Sequence, residues 1–448
     1  MKVKFKLSVW QMLALAYLLG TLLGSILLIL PFATKSGQST SYLNALFTSV
    51  SAVCITGLSP YDINTHWTLF GQLVILFLIQ ASGLGFMTIV SAAFLIFKRN
   101  MSTGSKNAFI LDSRGNANGV LVLLRRIVVG TLLCETVGTL LLMIRFIPDF
   151  GAGKGIYFSV WHSISAFCNA GFDLMGSAGG EFVSLTGYAT DPLVTLTLTG
   201  LIILGGLGFC VWGDVIDCRF NFKKFQLNTK AVLAVNFVLI VSGTALFLLF
   251  ERDNPSYAGY NFGEKLLVSI FNAATPRTAG FATTDSSTLS DSGVLLTVIL
   301  MFIGGGSGST AGGIRVGTFA VIVMGMLAVF RGRRDINIGK KRIDYSLLSQ
   351  ALAILAACLM IVMTGTLIIC AVEPSSMGLK EILFECVSAL SNTGLSMSVT
   401  PRLTAASRII IIILMYAGRV GILTLALALG EKRTADEIRK PVDTLLIG

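Results

Sequence analysis

One short motif occurs four times in this chain of 448 residues, and its regular spacing constrains the fold more than any other feature. The glycines of the four copies lie 114, 109 and 114 residues apart. A period of this kind indicates that the chain is built from four structural repeats. A small residue also stands six positions before each glycine, which supports the alignment. The four copies read Ile55-Thr-Gly-Leu58, Asn169-Ala-Gly-Phe172, Thr278-Ala-Gly-Phe281 and Asn392-Thr-Gly-Leu395.

The composition indicates that these repeats lie in a membrane. Hydrophobic residues make up 54% of the chain and charged residues 13%, whereas soluble proteins have about 25% charged residues. Apolar runs fill nearly the whole chain, so we expect one integral membrane domain rather than several soluble ones. The formal net charge of +11 comes largely from short basic segments between apolar runs. The positive-inside rule explains these segments better than nucleic-acid binding does.

Other function classes find little support in the residues. The eight cysteines fall mainly within apolar segments, and Cys54 and Cys168 occupy the same place in two repeats, so packing is favoured over disulfides. With two histidines and no paired carboxylates or nucleophile–histidine arrangement, we expect neither a metal cluster nor an enzyme. The pattern Gly306-x-Gly308-x-x-Ala311 lacks a surrounding βαβ unit, and the chain has no phosphate-loop motif. We therefore expect no cofactor in this chain and no ATP-driven pumping.

Each repeat combines a long apolar run, a short apolar run that leads into the motif, and a second long run. In the first repeat these are a span at Ser8–Phe32, a half-helix at Tyr42–Val53 that is too short to cross the bilayer, and a returning span at Trp67–Phe97. The other predicted spans lie near 120–147, 192–216, 230–250, 292–330, 346–372 and 403–429, with half-helices at 156–167, 262–275 and 379–390. The predicted domains are repeat 1 at 1–117, repeat 2 at 118–229, repeat 3 at 230–345, repeat 4 at 346–430 and a tail at 431–448.

The basic segments between repeats predict that all four units share one orientation, with both termini in the cytoplasm. Parallel repeats can surround an axis along the membrane normal, where the four motif loops meet. Irregular backbone is tolerated at membrane depth only where it is buried or lines a water-filled path. Glycine permits φ > 0, and a ring of carbonyls can replace the hydration shell of a monovalent cation. The residues thus predict an all-α membrane protein with pseudo-fourfold symmetry around a cation pore. The alternative is that the glycines only permit close helix packing.

Taken together, these features resemble the Ktr/Trk/HKT superfamily of potassium transporters, and most closely the bacterial Ktr membrane subunit. The resemblance rests on the four units, the single glycine in each loop, the string Thr275-Pro-Arg-Thr-Ala-Gly-Phe281 and a glycine-rich interruption in the third repeat. It implies K⁺ uptake, sometimes Na⁺-dependent, in the bacterial cytoplasmic membrane. It also implies a homodimer, surrounded by lipid, on a ring of cytoplasmic nucleotide-binding regulatory subunits.

The resemblance also identifies a selectivity filter that binds K⁺. Glycine stands at all four filter positions, which favours K⁺ over Na⁺. Each loop has one glycine where the Thr-Val-Gly-Tyr-Gly of tetrameric channels has two, so we expect fewer well-formed ion sites and poorer discrimination against Na⁺. The predicted filter residues are Ile55, Thr56, Gly57, Asn169, Ala170, Gly171, Thr278, Ala279, Gly280, Asn392, Thr393 and Gly394.

The third repeat also contains a candidate gate. Its apolar run from Ser292 to Phe330 would be about 58 Å long as a continuous helix, nearly twice the hydrocarbon core. The glycine-rich interruption is a poor helix former, so we expect a loop that obstructs the pore beside Arg419; the alternative is a hinge outside the ion path. The predicted gate residues are Gly304, Gly305, Gly306, Ser307, Gly308, Ser309, Thr310, Ala311, Gly312, Gly313 and Arg419.

Charged residues within apolar segments lead to further hypotheses. Arg419 is expected near the ion path, or alternatively in a buried pair with Glu135. Arg277 and Glu385 precede the third and fourth motifs and are expected to form a salt bridge behind the filter.

Two sets of residues remain outside the filter and gate. The glycines of Ser82–Phe86 and Gly205–Phe209 are expected to serve helix packing. Aspartates after the motifs are expected to concentrate cations or simply to be solvated (Asp62, Asp173, Asp285 and Asp291).

An alternating-access symporter with a midplane site is the alternative to a pore.

Overall fold

In the computed structural model, the chain is described over residues 9–97, 117–333, 335–338, 341–374, 377–421 and 424. A long apolar helix begins each repeat, and each contains a stretch long and apolar enough to cross a membrane. Their exposed side chains are large and apolar, for example Leu23, Phe237 and Leu367, as expected of surfaces that face lipid. These helices are α1 (Val9–Leu28), α5 (Ala117–Phe150), α10 (Leu227–Phe250) and α14 (Tyr345–Val372).

A short helix with a buried C-terminal end precedes each motif, at nearly the predicted bounds. Side-chain caps define two of the starts: Ser41 accepts from the Asn44 N–H, and Asn261 forms a capping box with Glu264. The helices are 13 to 16 residues long, too short to cross the bilayer. They are α2 (Tyr42–Cys54), α6 (Ala152–Phe167), α11 (Phe262–Ala274) and α15 (Leu379–Ser391).

The second long segment of a repeat is continuous in α4 (Leu69–Phe97) but broken in the next two repeats. The predicted single span at 192–216 was wrong, since it divides into α8 (Pro192–Leu207) and α9 (Phe209–Asp217) with a bend of 90°. Gly208 lies at the bend with φ +98°. This backbone conformation is unfavourable for residues other than glycine. The predicted interruption of the third repeat is confirmed. It separates α12 (Asp291–Phe302) from α13 (Val316–Phe330). Of the span predicted at 403–429, α16 covers Ala405–Val420, and residues 422–423 and 425–429 lie outside the described residues.

Smaller elements connect the long helices. A hairpin joins α13 to α14, with strands β1 (Ile336–Ile338) and β2 (Lys341–Ile343) paired antiparallel. It departs from the all-α prediction only locally. Single helical turns lie at α3 (Ile63–His66) and α7 (Gly176–Gly179). Turns of 3-10 helix lie at Pro31–Ala33, Thr186–Tyr188, Phe222–Lys224, Pro255–Tyr257, Ser286–Thr288 and Thr400–Arg402.

The core surrounds the four motifs. Aromatic side chains that are almost fully buried include Trp67, Trp161, Phe172 and Phe281. Burying each contributes roughly 1.5–3 kcal/mol or more. The thiols of Cys54 and Cys168 are buried and free, as predicted from their place in the repeats. Large side chains are thus buried where the loops meet.

Candidate ion pore

The four motif loops share one unusual backbone conformation. The residue two positions before each glycine has positive φ: 56° at Ile55, 58° at Asn169, 73° at Thr278 and 53° at Asn392. For Ile55 and Thr278, which are β-branched, this conformation is costly. The glycines also have positive φ, between 69° and 96°. Strain that recurs at the same place in four repeats must be maintained by the surrounding structure, as is typical of functional sites.

Hydrogen bonds to the short helices fix the orientation of these loops. The N–H groups of Thr56 and Gly57 donate to the carbonyl and hydroxyl oxygens of Ser51, at 2.8 and 3.0 Å. Thr393 and Gly394 donate to Ser388 in the same way, at 2.9 and 3.1 Å. This pairing explains the serine six positions before the glycine in the first and fourth repeats. In the second, the Ala170 N–H donates to Ser165 O at 2.8 Å, and the Ser165 hydroxyl has no partner among the described residues. Since the N–H groups point back toward the helix, the carbonyls are available to other partners. Within the described residues, no protein hydrogen bond is found to the carbonyl oxygens of the twelve predicted filter residues.

The four loops form a closed ring. A β-carbon added at any of the four glycines would lie within 2.6 Å of the carbonyl oxygen just before the glycine of the next repeat. A substitution at any glycine would therefore collide with the neighbouring repeat. Asn392 Nδ2 also donates to Thr56 Oγ1 at 3.0 Å, which joins the fourth repeat to the first. The carbonyls that receive these contacts belong, in order from the first glycine to the fourth, to Ala170, Ala279, Thr393 and Thr56.

A cavity lies on each side of this ring. The outer cavity, of about 460 Å³, is lined by Gly57, Gly171, Gly280 and Gly394 and by the loops that follow them. The inner cavity, of about 250 Å³, is lined by residues of α16 and by the segment 307–315. The outer cavity thus reaches the ring directly, whereas the inner cavity comes close to it at Leu390 and Ser391, just before the fourth motif.

The glycine-rich segment 304–313, here called the intramembrane loop, forms a compact excursion below the ring. Its two ends are paired: Gly304 N–H donates to Ile314 O at 2.9 Å, and Val316 N–H donates to Gly305 O at 3.0 Å. A β-carbon added at Gly313 would lie 3.2 Å from the backbone of Gly304. The loop therefore separates α12 from α13, and its first and last residues lie next to each other.

The intramembrane loop contacts the lower parts of the second and fourth motifs. Thr310 Oγ1 lies 3.2 Å from the side-chain amide of Asn169 and 3.4 Å from Phe167 O. A β-carbon at Gly312 would collide with Ser391 O. The loop is thus packed directly beneath the ring, on the side of the inner cavity.

The break in the second repeat is paired with the same loop. Gly306 N–H donates to Gly206 O at 2.8 Å, and Phe209 N–H donates to Gly308 O at 3.2 Å. The bend at Gly208 removes the Gly206 carbonyl and the Phe209 N–H from helical hydrogen bonding, and the intramembrane loop supplies a partner for each. Gly205 packs against Phe167 O, so the packing prediction holds for Gly205, whereas Gly208 marks a bend.

Two arginines bind consecutive carbonyls of the intramembrane loop. Arg419 donates to Thr310 O and, at 3.3 Å, to Ser82 O. It does not pair with Glu135, which accepts from Gln80 Nε2 at 3.0 Å. Arg315, which sequence reasoning missed, donates to Ala311 O and approaches Ser309 Oγ at 3.4 Å. The signal in the sequence that could have identified Arg315 was a charged residue immediately before an apolar helix.

Comparisons with known proteins agree with this geometry. Residues 19–438 match the TrkH family, described as cation transport protein. The chain belongs to this family. The TrkH-family chain is therefore a multi-pass membrane protein of a cation-transporter family and not an enzyme. A solved structure of the potassium transporter TrkH from Vibrio parahaemolyticus shares the fold, with a TM-score of 0.68 at 17% identity over 96% of this chain and 86% of that one. The four repeats surround a pore, as predicted.

Two curated relatives match almost end to end. The potassium/sodium uptake protein NtpJ of Enterococcus hirae is 37% identical, over 100% of this chain and 99% of its own length. The Ktr system potassium uptake protein B of Bacillus subtilis is also 37% identical, over 98% of this chain and 96% of its own. The TrkH-family chain is thus similar in length and sequence to both.

The predicted salt bridge between Arg277 and Glu385 was wrong. Arg277 Nη2 approaches Gly304 O at 3.5 Å, toward the intramembrane loop. Glu385 accepts from Thr400 Oγ1 and, at 2.7 Å, from Ser396 Oγ. The two side chains point to opposite sides of the ring, because Arg277 lies in the loop below the third glycine and Glu385 faces the chain beyond the fourth.

A histidine of the second repeat occupies the position of Glu385. His162 and Glu385 both stand nine residues before their glycine. Leu174 N–H donates to His162 Nε2 at 3.4 Å, and the ring Nδ1 lies 2.7 Å from Phe158 O. Each side chain thus supports the chain that follows its motif. Both roles were missed in the sequence, although the equal distance of His162 and Glu385 from their glycines was a signal.

Three of the four outer aspartates line the outer cavity of the TrkH-family chain: Asp62, Asp173 and Asp285. Asp62 accepts from the Thr65 and Phe182 N–H groups at 2.8 and 3.2 Å. Asp173 accepts from the Met175 N–H at 2.9 Å, and its burial raises the pKa of the carboxyl to about 6. Asp291 instead pairs with Lys380 at 2.8 Å. The cavity mouth is therefore acidic, and part of that charge depends on pH.

Proposed function

We propose that this chain takes up K⁺ through the ring of motif carbonyls. The observation that carries the proposal is the ring itself: carbonyls without protein donors, held by N–H groups that point away, with a cavity on each side. Such oxygens can replace the hydration shell of a monovalent cation. The names of the Enterococcus and Bacillus relatives support K⁺ as the ion.

The ions are assigned from the same ring. K⁺ binds at the twelve filter residues, and glycine at all four filter positions favours K⁺ over Na⁺. Na⁺ acts as a coupling or activating ion, a role supported by the name of the Enterococcus relative. The chain itself carries no cofactor in this proposal.

Regulation and assembly complete the proposal. The intramembrane loop, held by Arg419, obstructs the pore at rest and moves when a cytoplasmic partner changes state. The protein is a homodimer in the bacterial cytoplasmic membrane, in contact with lipid and with a ring of nucleotide-binding regulatory subunits. Its termini lie in the cytoplasm, and its domains are the four repeats at 1–117, 118–229, 230–345 and 346–430, with a tail at 431–448.

Ion-replacement assays on the purified protein in liposomes test this function. We expect K⁺ flux that exceeds Na⁺ flux and a nearly linear current–voltage relation. Saturating transport with strict stoichiometric coupling would instead favour an alternating-access symporter. Equal K⁺ and Na⁺ flux would contradict the assignment of the filter.

A further inference from the structure

Two positive charges face the inner cavity, and no described carboxylate lines it with them. Arg315 and Arg419 both line it, and no Asp or Glu is among its lining residues in the described part of the chain. Neither arginine forms a salt bridge with a described residue within 4.0 Å. Their described acceptors are carbonyl oxygens and a hydroxyl. Arg419 is buried and Arg315 is partly buried. Charges withdrawn from water without a counter-charge are costly, so this pair is suited to an anionic ligand.

The cavity offers further donors to such a ligand. The hydroxyls of Ser307, Ser309 and Thr318 line it. The first turn of the 15-residue helix α13 borders it through Thr318. The Val316 N–H of this turn already donates to Gly305 O, whereas the next N–H groups of a first turn lack acceptors within their own helix. Arg419 is only 7% exposed, and its Nε has no hydrogen-bond acceptor among the described residues. Guanidinium forks, hydroxyls and a helix N-terminus are the donors that proteins use for phosphate groups.

We infer that the inner cavity binds a small oxyanion of the phosphate class between Arg315 and Arg419. The two guanidiniums hold consecutive carbonyls, those of Thr310 and Ala311, and come from different helices. An anion between them stabilises the arrangement in which the intramembrane loop lies below the ring. A ligand that favours one conformation shifts the population toward it, so bound phosphate lowers K⁺ flux. Only the predicted decrease in K⁺ flux rests on the proposed function.

Binding is tested on the full chain in detergent, with inorganic phosphate titrated against a constant background of gluconate. We expect saturable binding of radiolabelled phosphate, with a matching rise in the thermal unfolding midpoint. Arg315→Gln should weaken the affinity at least tenfold, and Arg315→Lys should weaken it less, because it keeps the charge but loses the planar fork. The control Arg333→Gln, at an exposed arginine beyond the end of α13, should bind phosphate like the wild type.

A second variant allows phosphate binding to be tested even if the first variant misfolds. If Arg315→Gln does not fold, Thr318→Val removes one donor while nearly preserving side-chain volume, and a severalfold weaker affinity is expected. Phosphate also stabilises proteins in general by exclusion from their surfaces. A non-saturating rise in the unfolding midpoint that is equal in all variants would show this general effect and would overturn the site.

Flux measurements then test the effect on the loop. In liposomes with phosphate or gluconate on both sides, wild-type K⁺ flux should be lower in phosphate, and Arg315→Gln should remove the difference. Phosphate binding with unchanged flux would overturn the stabilisation of the loop. An absence of K⁺ flux in every variant would count against the proposed function instead, while the binding result would stand on its own.

Discussion

Two separate features of each motif glycine disfavour any other residue there: its backbone conformation and its distance from the next repeat. Gly57 has φ +96°, and a β-carbon there would lie 2.5 Å from Ala170 O. We predict that Gly57→Ser lowers the ratio of K⁺ to Na⁺ uptake, because the side chain displaces a carbonyl of the neighbouring repeat. Uptake of each ion by the purified variant measures this ratio.

A matched control separates the two reasons. Gly37 also has positive φ, +70°, but a β-carbon there meets nothing within 4 Å. Gly37→Ser should leave selectivity unchanged. If both variants show wild-type K⁺ and Na⁺ affinities, the assignment of Gly57 to the filter is wrong.

Asp173 makes the outer cavity sensitive to pH. Burial raises the pKa of this carboxyl to about 6, and nearby Asp62 adds to the rise. Because the folded-state pKa exceeds the ordinary value, the group favours the fold at low pH, and this contribution is lost as the pH rises through 6. The ionised form, present above pH 6, attracts cations to the mouth. We predict that the KM for K⁺ rises roughly two- to fivefold as external pH falls from 7.5 to 5.

The measurement is K⁺ uptake as a function of external pH. Asp173→Asn should have a high KM throughout that range, with little dependence on pH. Glu181→Gln, at another acidic residue of the outer cavity, should retain the midpoint near 6. An unchanged profile in Asp173→Asn would exclude this carboxyl as the titrating group.

At the scale of elements, the intramembrane loop is the feature whose role is most open to a direct test. Its ends meet at Gly304 and Gly313, so the segment between them can be removed without separating α12 from α13. We predict that deletion of residues 305–312 raises K⁺ flux and weakens its dependence on the regulator. Flux in liposomes is the measurement, and the size-exclusion profile serves as the check of folding. Normal, fully regulated flux in a folded deletion variant would make the loop a hinge and place the gate elsewhere.

Buried glutamates join the long helices of two repeats. Glu251, at the end of α10, accepts from the Ser290 hydroxyl at 2.6 Å and from the Ser290 N–H at 3.1 Å, where α12 begins. Glu373, at the end of α14, accepts from the Thr404 N–H and hydroxyl, both at 2.8 Å, where α16 begins. The same connection thus recurs in the third and fourth repeats.

We predict that Glu251→Ala destabilises the protein by about 1–3 kcal/mol, because the buried donors at the start of α12 lose their acceptor. The thermal unfolding midpoint in detergent should fall. Asp253→Ala, two residues away and exposed, is the control and should have no effect. Equal midpoints for the two variants would show that Glu251 does not stabilise this connection.

The elements differ in how far the sequence predicts them. The short helices were predicted within a few residues, because short apolar runs mark their extent and turn-forming motifs mark their ends. Gly208 was not recognised as a bend, because Gly205-Gly-Leu-Gly208 also fits a packing motif and the loop that satisfies the free backbone groups is about 100 residues away. The pairing of Arg277 with Glu385 failed for a similar reason: proximity to the motif does not show on which side of the ring a side chain lies.

At the scale of the whole molecule, the basic segments between repeats offer a surface for a partner. Within the described residues this surface includes 219–230, 331–333, 335–338 and 341–342; residues 334, 339 and 340 and the predicted segment 98–115 lie outside them. We predict that a soluble nucleotide-binding protein co-purifies from native membranes. Replacing Arg331, Arg333 and Lys341, all exposed, with Gln should reduce its recovery.

The control changes the same number of exposed basic residues near the outer ends of the helices, Lys154, Arg252 and Arg402, and should leave recovery unchanged. Lipid headgroups are the other partner for such a basic surface. Full nucleotide-responsive transport by the isolated chain would argue against a separate regulator.

The closed ring has a further consequence for how such a protein can change by mutation. In a channel made of four identical chains, one codon specifies the same position four times, so any substitution in the filter alters every quarter of the ring at once. Here each quarter is encoded separately, and each glycine touches the carbonyl of a different neighbour. A single mutation therefore alters one quarter and its contact with the next. Under the proposed function, the ion preference of the ring can thus evolve in small, graded steps.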